Sequence, residues 1–322
     1  MLSSISCASC CTLVLTGESV TVVRKNETKR LKMKSPPILV AREYVVTEDK
    51  KLFKVVDGSV TEIGKVPKIP TKLFLETKPP KERSGAPSTT IYMSDRLGSV
   101  YRISPEAPDA SEALFGSISM ITDLCAAQHY IVTVDKDSKV RITHKNPPYL
   151  IEKFVLAHAR PLAALCVLFN RYVLAGGYDA YLSIYDMVTE KVSLYILKTG
   201  EVVPFDLTSV PEVEDASSIL NIGGGVCRAK KILATADTLV VITEDAPIVI
   251  RIEKTQEGVV LEEVKETRVG AIKMQDGAVV DDFFVLISQQ GDLYEFSLSR
   301  FAHITHVENY TPKEGLLILK KC

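Results

Sequence analysis

The sequence predicts an all-β fold, a seven-bladed β-propeller of the WD-repeat type, from three observations. First, one pattern recurs seven times: an apolar run, a small or hydroxyl residue, a turn that carries an acid or amide, and then apolar residues at every second position. Second, most intervals between the copies are close to the roughly 40–45 residues of one four-stranded blade. Third, no segment shows the sustained i, i+3, i+4 apolar stripe of an amphipathic helix.

Each copy is predicted to be a β-hairpin, because β-branched and aromatic residues alternate on both sides of a turn with Gly, Asp or an amide. The apolar run GLLILKK near Cys322 is expected to pair with the first copy, so that strands from both ends of the chain share one blade. The copies are TLVLTGESVTVV from Thr12, YVVTEDKKLFKV from Tyr44, IYMSDRLGSVYRI from Ile91, YIVTVDKDSKVRI from Tyr130, YVLAGGYDAYLSI from Tyr172, LVVITEDAPIVIRI from Leu239 and FVLISQQGDLYEF from Phe284.

We expect one propeller domain over residues 1–322 with two surface insertions. Residues 65–89 hold five prolines and many lysines, and residues 202–231 hold acids, prolines and three consecutive glycines. The first composition disfavours regular structure in its flanks, and both segments are expected to be long loops on the rim or face of the propeller. The segments SISMITDLCAA and RPLAALCVLF directly precede hairpins, as the innermost strand of a blade should.

Composition limits the classes of partner and compartment. The chain has 39 basic and 40 acidic side chains, so its net charge does not attract polyanions. A polyanion would have to bind to a local patch of basic residues. No apolar run approaches the roughly 18 residues of a membrane span, so no membrane partner is expected. Seven cysteines, an odd number, argue against a disulfide framework and for a reducing compartment. We predict the nucleus, with the cytoplasm as a second compartment.

A basic run, RKNETKRLKMK, covers residues 24–34 and contains six Lys or Arg against one Glu. Clustered cations suit contact with a nucleic-acid backbone or a nuclear import signal. The alternative is a solvated loop between strands, since the run lacks aromatic residues for base stacking. The sequence leaves these alternatives open.

His158 and Asp179 are the most suggestive pair for catalysis, because an acid next to a histidine can orient a general base. However, His158 lies just before an inner strand and Asp179 lies in the following hairpin turn, where WD-type repeats place a structural pair. We therefore predict a structural repeat pair. Cys7, Cys10 and Cys11 lack a second pair of metal ligands at suitable spacing, and Gly223–Gly225 lack the Lys and Ser/Thr of a phosphate loop. No catalytic, cofactor-binding or metal-binding residue is predicted.

The hairpin VDKDSKVRI, residues 134–142, concentrates charge in Lys136, Asp137, Lys139 and Arg141. Lys139 and Arg141 differ by two positions, so on a strand they project to the same face. Two cations on one face can pair with carboxylates of another protein. The alternative is a salt-bridged solvent face, which contributes little energy.

Five stretches follow one another from about Met93 to Met187: SDRLGSVYRI, LFGSISMITDL, YIVTVDKDSKVRITH, IEKFVLAHARPLAAL and VLAGGYDAYLSIYDM. In order and spacing they resemble the WD-repeat, non-catalytic subunit of tRNA (guanine-N7)-methyltransferase. That family shows a GDVY-like hairpin, a GHxSMLxD-like strand, an ADRDExI[RK]-like hairpin and a GH segment followed by a GDxxLxxWD-like hairpin. Three residues depart from the pattern: Ser117 and Ala157 replace a His and a Gly of two GH pairs, and Tyr185 replaces the Trp of WD.

The resemblance implies a function without catalysis in this chain. It places Lys139 and Arg141, with Asp137 nearby, against a catalytic subunit, and Lys136 is assigned to the same surface. In the family, this subunit binds no S-adenosylmethionine and holds its partner active while the heterodimer methylates N7 of a guanosine in the tRNA variable loop. The resemblance also implies that tRNA is a partner through the complex. The rivals are a general WD-repeat adaptor, for example in ubiquitin ligation or chromatin binding, and a propeller enzyme with a site in its central channel.

Overall fold

Every regular element in the described part of the chain is a β-strand. Within it, no helix has the length and apolar character that a membrane crossing requires. The computed structural model describes residues 10–16, 19–24, 27–56, 58–78, 88–205, 228–255, 259–264, 272–280, 283–290, 292–297, 300–306 and 317–321.

The chain forms two compact units, and the first comprises residues 1–65 and 274–322. Its described strands form three antiparallel sheets, in the orders β29-β1-β2-β3, β4-β5-β6-β7 and β25-β26-β27-β28. These strands are β1 (Cys10–Thr16), β2 (Ser19–Arg24), β3 (Glu27–Lys32), β4 (Pro37–Ala41), β5 (Tyr44–Thr47), β6 (Lys51–Val56), β7 (Ser59–Lys65), β25 (Met274–Val280), β26 (Phe283–Ser288), β27 (Asp292–Ser297), β28 (Arg300–His306) and β29 (Leu317–Lys321).

The second unit comprises residues 66–273, and its described strands form four antiparallel sheets. The first strands of these sheets are neighbours: β12 contacts β8 and β16, and β16 contacts β21. The strands are β8 (Pro70–Lys78), β9 (Ser88–Asp95), β10 (Ser99–Ser104), β11 (Ala107–Gly116), β12 (Ile121–Ala126), β13 (Tyr130–Asp135), β14 (Val140–His144), β15 (Ile151–Val155), β16 (Leu162–Leu168), β17 (Tyr172–Gly177), β18 (Tyr181–Asp186), β19 (Val192–Ile196), β20 (Val202–Phe205), β21 (Ala229–Ala234), β22 (Thr238–Thr243), β23 (Ile248–Lys254) and β24 (Val259–Glu263).

All seven predicted hairpins are confirmed, as the pairs β1/β2, β5/β6, β9/β10, β13/β14, β17/β18, β22/β23 and β26/β27. The two predicted inner strands are confirmed as β12 and β16. The first strand of several hairpins is buried on both faces, as β17 is along its whole length. This burial explains the nearly continuous apolar runs in the sequence, because a strand between two packed sheets has no solvent face.

Strands from the two ends of the chain share one sheet, as predicted. β29 pairs with β1 in antiparallel register, from Cys10 opposite Lys321 to Val14 opposite Leu317. In this unit β29 also contacts β25 and β4. The pairing satisfies backbone groups that would otherwise line an open sheet edge.

The predicted insertion at residues 65–89 is wrong for most of its described part, because residues 70–78 form strand β8. β8 pairs with β9 along its whole length, from Pro70 opposite Asp95 to Lys78 opposite Ser88. Pro70 is the first residue of the strand, a position where the missing N–H group is tolerated, so it bounds the strand rather than interrupting it. Residues 79–87 lie outside the described residues.

The predicted insertion at residues 202–231 is only partly within the described chain. Its start forms β20, which pairs with β19 as the fifth strand of a sheet, and its end enters β21. Residues 206–227, with the three glycines, lie outside the described residues, and for them the insertion stays a prediction.

Candidate partner-binding site

The charged hairpin is β13 and β14, the second and third strands of the sheet β12-β13-β14-β15. Its turn is held by Asp135, which is 5% exposed and ends β13. One carboxylate oxygen of Asp135, Oδ1, accepts hydrogen bonds from the backbone N–H groups of Asp137, at 2.9 Å, and Lys139, at 3.1 Å. Ser138 takes a left-handed φ of 65° between them. The sequence DKDSK therefore forms a turn that is closed by its own acid.

The exposed charges of this turn partly pair with each other. The Lys139 ammonium lies 3.0 Å from Oδ2 of Asp137 and 3.7 Å from Oδ2 of Asp135. The pKa of Asp137 is lowered mainly by a hydrogen bond from Lys139 and, to a smaller extent, by one from Ser119. Lys136 is exposed, and its backbone N–H donates to the Met120 carbonyl at 3.1 Å. These groups remain accessible to a second molecule.

Arg141 lies on β14 and reaches the neighbouring sheet. Its guanidinium carbon is 4.3 Å from the centre of the Phe115 ring, and Nη1 donates to the Gly116 carbonyl at 2.9 Å. Nε donates to Oγ1 of Thr143 at 2.9 Å, and burial lowers the pKa of Arg141. The planar cation is thus oriented by contacts within the unit. An oriented guanidinium loses little side-chain entropy when it pairs with a carboxylate.

A loop between β11 and β12 lies beside the charged hairpin and carries a fully exposed apolar side chain, Ile118. The turn between β9 and β10 lies on its other side and carries Leu97, which is 75% exposed. Neither residue is among the predicted partner-binding residues, because the prediction rests on charge alone. The signal available was that Leu97 lies inside a turn and that Ile118 stands between two serines.

The structure brings His158 and Asp179 together in a buried network. Nδ1 of His158 lies 2.9 Å from Oδ2 of Asp179, and Nε2 lies 2.8 Å from Oγ of Ser183. Neither the imidazole nor the carboxylate has any solvent exposure. The imidazole stacks on the ring of Tyr181, with 5.0 Å between centroids, and the Arg160 N–H donates to Asp179 at 3.3 Å. With both imidazole nitrogens engaged and no path to solvent, this geometry supports a structural role.

The charged hairpin carries a smaller version of this network. Oγ of Ser117, at the position where the resembled family has a histidine, lies 3.5 Å from Oδ2 of Asp135. Tyr185, at the position of the family tryptophan, is buried at 4% exposure. The strands that enter the turns end in buried polar residues, which are hydroxyl residues at Thr47, Thr243 and Ser288 and acids at Asp95 and Asp135.

The basic run at residues 24–34 forms strand β3 over much of its length, not a loop between strands. Nζ of Lys29 donates to the Gly58 carbonyl at 3.0 Å, and Nε of Arg30 donates to Oγ of Ser19 at 2.6 Å. Lys32 and Lys34 are exposed. Two of the cations therefore make contacts inside the unit, both to uncharged oxygen atoms.

Among the described residues, no group of three or more His, Cys, Asp or Glu side chains is arranged to hold a metal ion. Of the N-terminal cysteines, Cys7 lies outside the described residues. The described thiols Cys125 and Cys166 lie on β12 and β16, and burial raises the pKa of both, to about 12 for Cys166. Such thiols are poor nucleophiles at neutral pH.

Comparison with protein families places the charged hairpin inside a matched region. The model of the tRNA methyltransferase TRM82 WD40 domain matches residues 103–271, more than half of the chain, and this range also contains the His158 network. A chain of the crystal structure of the mitotic checkpoint complex is similar, with a TM-score of 0.57 at 9% identity, and the match covers 92% of this chain and 84% of that chain. This likeness supports the fold alone: an all-β, WD40-type β-propeller.

Two curated relatives that match part of this chain are both named as a non-catalytic subunit of tRNA (guanine-N(7)-)-methyltransferase. The tRNA (guanine-N(7)-)-methyltransferase non-catalytic subunit TRM82 of Saccharomyces cerevisiae is 26% identical over 176 residues, which is 49% of this chain and 40% of that protein. The corresponding subunit wdr4 of Danio rerio is 31% identical over 104 residues, which is 31% of this chain and 25% of that protein. The chain thus spans less than half the length of the curated relatives that it matches.

Proposed function

This chain belongs to the family of the tRNA methyltransferase TRM82 WD40 domain, and on that premise we propose that it is the non-catalytic scaffold subunit of a heterodimeric tRNA (guanine-N7)-methyltransferase. It binds the catalytic subunit and holds it in an active, stable form. The catalytic subunit supplies the methyl-transfer chemistry and the S-adenosylmethionine site. The single observation that carries the proposal is the family match over residues 103–271, which includes the charged hairpin.

The hairpin β13/β14 is the proposed contact with the catalytic subunit, through Lys136, Asp137, Lys139 and Arg141. Asp135 closes the turn of this hairpin, and the Arg141 guanidinium is stacked on the Phe115 ring. A preformed hairpin pays little ordering entropy on binding. Its cations suit carboxylates on the partner, and charged groups of this kind raise the association rate and fix register more than they add affinity.

We propose further that tRNA is engaged through the complex, that each sheet forms one propeller blade, and that the complex works in the nucleus. Seven sheets are present in the described ranges, each with at least four strands, and this supports seven blades. An experimental structure of the complex with six or eight blades would contradict the count. Imaging of a fluorescent fusion tests the location, and exclusion from the nucleus would contradict it.

Co-expression with candidate methyltransferases from the same organism tests the proposed function. We expect one catalytic subunit to co-purify with this chain, and the pair to transfer the methyl group of S-adenosylmethionine to tRNA faster than the catalytic subunit alone. The product is N7-methylguanosine in the variable loop. Recovery of ubiquitin-ligase or chromatin components with no methyltransferase would instead support a general WD-repeat adaptor.

A further inference from the structure

An apolar side chain stands fully in water at the edge of the charged hairpin. Ile118 is the second residue of the loop that joins β11 to β12, and it is fully exposed. Leu97, at the neighbouring turn between β9 and β10, is 75% exposed. Exposed apolar side chains are common singly, but contiguous ones with a polar rim mark sites of interaction.

Two turns hold this loop in place from opposite sides. On one side, the Ser117 N–H donates to the Gly98 carbonyl at 2.8 Å, and on the other, the Lys136 N–H donates to the Met120 carbonyl at 3.1 Å. Gly98 fits against the loop because it lacks a side chain: a Cβ there would lie 2.5 Å from the Ser117 carbonyl oxygen and 2.6 Å from that of Ser119. Ile118 is therefore displayed on a braced backbone and is not covered by folding of its own loop.

Two exposed cations flank this apolar centre. Arg96 and Lys136 are exposed and form no ion pair within the described part of the chain. The acids of the two turns already have partners: the carboxylates of Asp95 and Asp135 accept backbone N–H groups of their own turns, and Asp137 pairs with Lys139. A molecule that covers Ile118 gains from carboxylates near these two cations.

We infer that Leu97 and Ile118 are the apolar anchors of the docking surface for the catalytic subunit, flanked by Arg96 and Lys136. We call these four residues the Ile118 surface. The inference rests on the proposed function, and it assigns the partner an apolar pocket rimmed by carboxylates. The surface is continuous with the charged hairpin, because Lys136 belongs to both and its backbone is bonded to the Ile118 loop. Apolar anchors then provide the affinity, and the cations provide steering.

The substitution Ile118→Asp tests the apolar anchor, with Val188→Asp as its matched control. Val188 is also apolar and 71% exposed, but it lies in the turn between β18 and β19. We expect Ile118→Asp to weaken binding of the purified catalytic subunit by roughly 10- to 100-fold, because an isoleucine side chain would no longer be buried. Leu97→Asp should act in the same direction. Val188→Asp should stay within about twofold of the wild type.

A second experiment tests the two cations of the Ile118 surface by measuring the rate of association. The double variant Arg96→Glu with Lys136→Glu should lower the association rate with the catalytic subunit and weaken its dependence on salt, since steering by exposed charges is screened. Lys191→Glu, at another exposed lysine of the same unit, is the control and should leave the rate near that of the wild type.

The outcomes separate this inference from the proposed function. If the wild type binds the catalytic subunit and Ile118→Asp binds it equally well, with unchanged thermal unfolding, the Ile118 surface is not the docking surface although the function stands. If Ile118→Asp only abolishes self-association of this chain, its occupant is a second copy and the inference is overturned. If the wild type binds no methyltransferase, the proposed function fails and takes this inference with it.

Discussion

Replacing His158 with alanine removes both hydrogen bonds that connect Asp179 to Ser183. The Asp179 carboxylate then remains buried, with the Arg160 N–H, 3.3 Å away, as its remaining partner among the described contacts. A buried carboxylate that loses its hydrogen-bond partner is left as an uncompensated charge, which costs about 3–5 kcal/mol. Loss of the stacking between His158 and Tyr181 adds about 1 kcal/mol. The sum, about 4–6 kcal/mol, is a large fraction of the roughly 5–15 kcal/mol that stabilises a typical folded domain.

Urea unfolding of purified His158→Ala, followed by fluorescence and circular dichroism, measures this loss. The double variant with Asp179→Ala separates the orphaned carboxylate from the other losses, because it removes the buried charge as well. It should cost less than the sum of the two single variants, by about 1–3 kcal/mol. Lys153→Ala is the control, because its pair with Glu190 is solvent-exposed and contributes little. A loss below about 1 kcal/mol for His158→Ala would refute the structural role assigned to the pair.

Three further predictions concern other residues of the same unit. Hydrogen bonds from Arg171 hold the pKa of Asp186 at about 2. The variant Asp186→Ala should therefore lose about 1 kcal/mol of unfolding free energy at pH 7, after allowance for solvent screening. In chemical denaturation, its difference from the wild type should shrink as the pH falls from about 4 towards 2, because Asp186 becomes protonated in the wild type. Gly98 has a φ of 84° and touches the Ser117 backbone, so Gly98→Ala should cost at least about 2 kcal/mol in urea unfolding; a neutral effect would contradict the bracing of the Ile118 loop. Arg141→Glu should cost about 1–2 kcal/mol of stability and abolish co-purification with the catalytic subunit, and an unchanged yield of complex would exclude this face.

The hairpins could be predicted because their signal is local. Each hairpin lies within about a dozen residues, as β-forming residues that alternate on both sides of a turn with Gly, Asp or an amide. This local pattern is sufficient to predict which two strands pair. Strand β8 was missed for the opposite reason. Its prolines suggested a loop, but its pairing partner, β9, lies beyond residues 79–87, and only that pairing shows that Pro70 starts a strand rather than breaking one.

The candidate site was predictable in its charges and not in its contacts. Lys136, Asp137, Lys139 and Arg141 were selected because charge is concentrated in one copy of the repeat. The stacking of Arg141 on Phe115 was not predictable, because the two residues lie on different sheets. Exposure of Ile118 was equally hidden, since an isoleucine in a buried strand and one at a braced loop tip look the same in a linear sequence.

By itself, then, the sequence determined the all-β class, the seven hairpins, the pairing of the terminal strands and the resemblance to the family, because each depends on local alternation or on an ordered set of motifs. The tertiary structure decided which cations are already engaged, where the prolines of residues 65–89 fall relative to a strand, and which apolar side chains remain in water. These depend on contacts between sheets, which bring together residues far apart in the chain. Physical burial follows from those contacts and not from residue type.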